Sequence, residues 1–62
     1  MNDRMLAAVT TAVGMYRGAY TMPEALSYAS LAHDLDTFER EDLPVIVKNQ
    51  LARLKLQLGE DV

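Results

Sequence analysis

An all-α fold of three short helices, packed as a small bundle, is what this 62-residue sequence predicts. Apolar residues recur at helical spacing in three stretches, and two of those stretches open on a cap residue with proline two positions later, Thr21-Met22-Pro23 and Asp42-Leu43-Pro44. The chain has no cysteine and one histidine, so disulfides and a structural zinc, two usual supports for so small a domain, are missing. A domain of this length buries only about 60% of its unfolded surface. Self-association is the remaining support. The expected architecture is therefore one small helical domain over residues 1–62, its bundle completed by homodimerisation.

The first helix is predicted over about residues 3–18, capped by Asn2 or Asp3. At about 100° per residue, Met5, Val9, Val13, Tyr16 and Tyr20 fall on one stripe, flanked by Leu6 and Ala12. The opposite stripe holds Ala7, Thr11, Gly14 and Gly18, all small. Glycine inside a helix costs about 1 kcal/mol relative to alanine, so Gly14 requires a reason. Either another helix backbone approaches closely there, or Gly18 is the C′ residue and Gly14 sits in a weak last turn.

The second helix, about residues 22–35, is signalled by the capping box Thr21-Met22-Pro23-Glu24. Met22, Ala25, Leu26, Ala29 and Ala32 share a stripe widened by Tyr28, Leu31 and Leu35, leaving Ser27, Ser30 and Asp34 to water. Asp36-Thr37-Phe38-Glu39 repeats the cap-and-acid spacing and predicts one extra turn anchored by Phe38. The third helix is predicted to restart at Asp42-Leu43-Pro44 and to run over about 43–58, with Gly59 as its stop before the tail Glu60-Asp61-Val62. Leu43, Val47, Leu51, Leu54 and Leu58 form its packing seam. Val45, Ala52 and Leu56 lie about 140–180° from that seam, so one neighbouring helix cannot cover both stripes.

Composition and motifs exclude several function classes. A net charge of −3 with half the residues hydrophobic describes a folding chain, and it argues against a dominant phosphate-binding surface. The uncharged run Met5–Tyr16 is too short to span a membrane and lacks the basic start of a signal peptide; a cytoplasmic location is expected. The acids Asp34, Asp36, Glu39, Glu41 and Asp42 fail as an EF-hand: Phe38 occupies the third ligand position, the glycine is absent, and Val45 stands where the bidentate glutamate belongs. His33 has no second histidine or cysteine at zinc-ligand spacing. Ser27 and Ser30 lack a nucleophile motif, and no glycine-rich phosphate loop exists. No enzyme activity, cofactor or metal is expected.

What remains is a protein–protein interaction module, a regulatory or inhibitory adaptor that self-associates and presents a helix face to a larger partner. Its candidate partner-binding residues are Val45, Ala52 and Leu56 on the third helix and Ala7, Thr11 and Gly14 on the first. The alternative is a helix-turn-helix-like DNA-binding regulator reading DNA with Lys48, Asn49, Gln50, Arg53 and Lys55. Against it stand the long gap from Leu35 to Leu43 and the acids just before the third helix, which would sit near phosphate.

Overall fold

The computed structural model describes residues 2–58, which form three α-helices and no strand. They are α1 (Asp3–Arg17), α2 (Met22–Ala32) and α3 (Thr37–Leu58). The predicted stop at Gly59 and the tail after it lie outside the described residues. α1 packs on both other helices, most extensively on α2, while α2 and α3 touch only briefly.

α1 starts where Asn2 Oδ1 accepts the Met5 amide at 2.8 Å, satisfying one of the orphan donors of the first turn. Met5, Ala8, Val9, Ala12 and Val13 are buried, so the inward face is rotated toward the alanines relative to the predicted stripe. Tyr16 and Tyr20 stay exposed. The helix ends in a Schellman motif, with the Tyr20 amide donating to the Met15 carbonyl (3.1 Å) and the Ala19 amide to the Tyr16 carbonyl (3.4 Å). The left-handed C′ position is held by Ala19 at φ 89°. Gly18, predicted there, is the C-cap at φ −89°.

α2 opens on the predicted capping box: the Glu24 amide donates to Thr21 Oγ1 (3.3 Å) and the Thr21 amide to Glu24 Oε1 (3.1 Å). Ala8 and Ala12 on α1 and Ala25 and Ala29 on α2 are all fully buried. Small side chains on both helices permit a close approach, which leaves no room for bulk. Tyr28 and Leu31 accordingly point outward, and Ser30, predicted to face water, is buried instead. α2 stops at Ala32, three residues before the predicted end, because Asp34 adopts φ 53°. Asp tolerates that region better than most residues. The Leu35 amide then donates to the Ser30 carbonyl at 3.0 Å, and its side chain enters the core.

The sequence predicts a separate turn at Phe38 and a new helix at Leu43; the structure has one helix of 22 residues. Asp36 caps all of it. Its Oδ1 accepts the Glu39 amide at 2.8 Å, while Glu39 Oε1 accepts the Asp36 amide at 3.0 Å. Pro44, read as a first-turn residue, therefore lies in the helix interior, where it cannot donate to the Arg40 carbonyl. Leu43 and Val47, the largest fully buried side chains, flank it. Their burial favours the helical path that the proline opposes. Twenty-two residues rising about 1.5 Å each account for the 35 Å long dimension of the molecule.

Candidate interaction surface

Two faces of α3 differ completely in burial. Leu43 and Val47 are buried, and Ile46, Leu51 and Leu54 pack against the same core, as the predicted seam requires; the side chain of Leu58 lies outside the described residues. On the opposite side Val45 is 61% exposed and Leu56 83% exposed, and Ala52 between them is exposed as well. Continuing α3 back to Thr37 adds a residue that sequence reasoning missed. Phe38 stands seven positions before Val45, two full turns away, and is 78% exposed. Phe38, Val45, Ala52 and Leu56 thus form one exposed apolar stripe along the outer face, away from the core seam. The missing signal was the helix itself, since Phe38 joins the stripe only if α3 runs unbroken through Pro44.

The three candidates on α1 do not share one free face. Ala7 and Thr11 are half-buried, and Thr11 Oγ1 hydrogen-bonds His33 Nε2 across to the end of α2 at 2.8 Å. Gly14 is exposed, and a Cβ built there would meet nothing within 4 Å. Within the subunit, therefore, no helix approaches Gly14 closely enough to require glycine. It lines an open cleft of about 320 Å³ between α1 and α3, together with Leu6, Thr10 and Gln50. A second open cleft, of about 530 Å³, lies where Met15, Tyr20, Tyr28 and Leu31 meet.

The N-terminal ends of α1 and α3 are joined through Glu39, another feature without a sequence signal. Asn2 caps α1 with its oxygen and donates from Nδ2 to Glu39 Oε2 at 3.0 Å; Arg4 Nη2 lies 3.1 Å from Oε1 and 3.2 Å from Oε2. The Asp36 amide and then Asn2 hold the Glu39 carboxyl below the ordinary glutamate range; burial opposes them, and Arg4 adds a lesser lowering. Glu24 is held low as well, by the Thr21 hydroxyl and then the Thr21 amide. Because both carboxyls ionise more readily folded than unfolded, their stabilisation is present above the ordinary value of about 4.5 and is lost as pH falls through their lower folded values. Melting temperature should therefore decline on acidification below about pH 4.5. Glu39→Gln should flatten that decline in a thermal melt series, and an unchanged acid slope would show that the clamp contributes nothing.

Among the described residues no three His, Asp or Glu converge to hold a metal ion, and no helix is long and apolar enough to cross a membrane. Of the polar residues considered for DNA, Lys48, Asn49, Arg53 and Lys55 are exposed, whereas Gln50 is half-buried beside the α1–α3 cleft. The chain matches no protein-family model, no curated protein and no solved structure. Any functional reading thus rests on the geometry of the surface.

Proposed function

We propose that the protein is a small interaction module, a regulatory or inhibitory adaptor that self-associates and presents the outer face of α3 to a protein partner. One observation carries this reading: Phe38, Val45 and Leu56 are 78%, 61% and 83% exposed on a single helix face directly opposite the core seam. Scattered exposed apolar residues are ordinary, but an aligned stripe is a feature of association surfaces. Leucine and phenylalanine in such a stripe fit the helix-in-groove and helix-on-helix modes of recognition. The small core also favours self-association, since binding of a second chain adds stability by mass action.

Leu56→Asp tests the reading. The variant should keep its helical circular dichroism, because position 56 contributes nothing to the subunit core. It should sediment as a smaller species than the parent at micromolar concentration, because a charge buried without a partner costs several kcal/mol. Leu54→Asp, on the core side, should unfold the chain. A parent that is monomeric throughout that concentration range, or a Leu56→Asp variant of unchanged size, would refute self-association through this face. Strong, salt-sensitive retention on heparin would favour the nucleic-acid alternative.

A further inference from the structure

We propose that the occupant of the α3 outer face is the α3 of a second copy of this chain, packed antiparallel about a two-fold axis near Val47–Lys48, with Phe38 of each copy against Leu56 of the other. The proposal rests on the interaction reading above and adds to it a partner, an orientation and a register.

Charge is distributed unevenly along the stripe. By helical arithmetic, Glu41, Lys48 and Lys55 border one side of it and Asp42, Asn49 and Arg53 the other. On both borders the acid lies toward the N-terminal end and the base toward the C-terminal end. All five charged residues are exposed, and none of them forms an ion pair with another described residue.

A chain with acids at one end of a face and bases at the other is complementary to itself only when reversed. The antiparallel register that sets Phe38 against Leu56 also brings Glu41 opposite Lys55 and Asp42 opposite Arg53. All three pairings are symmetric about nearly the same point on the helix. Opposite charges flanking an apolar seam are what selects orientation when two helices pair. Val45 and Ala52 fall between the end contacts and fill the middle of the seam. Lys48 lies nearest the two-fold, at the edge of the face, where its flexible stem can carry the ammonium into water. A parallel pair would instead set Glu41 of one copy beside Asp42 of the other, and Lys55 beside Arg53, like charge against like.

Two charge reversals distinguish these arrangements by sign. In the antiparallel pair Glu41→Lys and Lys55→Glu each convert two attractive contacts to repulsive ones, so each should weaken self-association on the order of ten-fold at low salt, and less at high salt. In a parallel pair either change relieves repulsion and strengthens association. The decisive sample is an equimolar mixture of the two variants. One then carries Lys at both positions and the other Glu at both, so the mixed antiparallel dimer regains both attractive contacts. It should associate about as tightly as the parent in sedimentation equilibrium, and circular dichroism of each variant should show unchanged helicity. If the reversals leave association unaltered or strengthen it, or if the mixture fails to recover it, the antiparallel pairing is wrong. Should Leu56→Asp still disrupt the dimer in that case, the interaction face itself stands and only its partner geometry falls. A parent that never dimerises overturns the proposal outright.

Discussion

Leu43→Ala is expected to remove most of the stability this chain possesses. Leu43 is fully buried, one of the two largest side chains in that state, and truncation of such a leucine costs about 2–5 kcal/mol in lost transfer energy and residual cavity. A chain of 62 residues has only about 3–9 kcal/mol in total at typical values per residue. Leu43 also lies next to Pro44, so the cavity would open where α3 most needs core contacts to stay helical. Urea denaturation followed by circular dichroism, at fixed protein concentration because self-association would shift the midpoint, should show the variant partly unfolded without denaturant. A loss below about 1 kcal/mol, the usual effect of a surface change, would mean that Leu43 does not anchor the core as described.

Pro44→Ala should act in the opposite direction. An interior proline costs about 3 kcal/mol relative to alanine, since it forfeits a hydrogen bond and its ring presses on the carbonyl four residues earlier. Alanine would restore the amide needed by the Arg40 carbonyl. Part of the gain is offset, because proline also restricts the unfolded chain by about 0.4–1 kcal/mol and is half-buried here. A net stabilisation of about 1–2 kcal/mol is expected, equivalent to a rise in melting temperature of roughly 4–16 °C for a domain this small. Were α3 broken before Leu43, with Pro44 in a first turn where it is favourable, the same substitution would be neutral or destabilising. The melt therefore tests the continuity of α3, and with it the membership of Phe38 in the outer stripe.

Local chemistry that depends only on neighbouring residues was legible in the sequence: the three helical regions, the Thr21–Glu24 capping box, a first-helix cap at Asn2 or Asp3, the α3 seam and the outward placement of Val45, Ala52 and Leu56 all follow from spacing and cap preference. The Asp36–Glu39 cap was legible too, but its extent was not. Proline at the third position after Asp36-Thr37-Phe38-Glu39-Arg40-Glu41 reads equally well as a helix start, and only the burial of Leu43 and Val47 decides that the chain passes through it helically. Tertiary packing likewise decided which face of α2 is buried: Ala25 and Ala29 are fully buried while the larger Tyr28 and Leu31 stay exposed. It brought Thr11 to His33 and joined Asn2 and Arg4 to Glu39, contacts between residues far apart in sequence that no local spacing encodes. The sequence by itself determined that three helices form and which α3 residues turn outward, since both depend on periodicity within one segment; the tertiary structure decided where α2 ends, how far α3 extends and which residues complete its face, since these depend on energy supplied by the neighbouring helices.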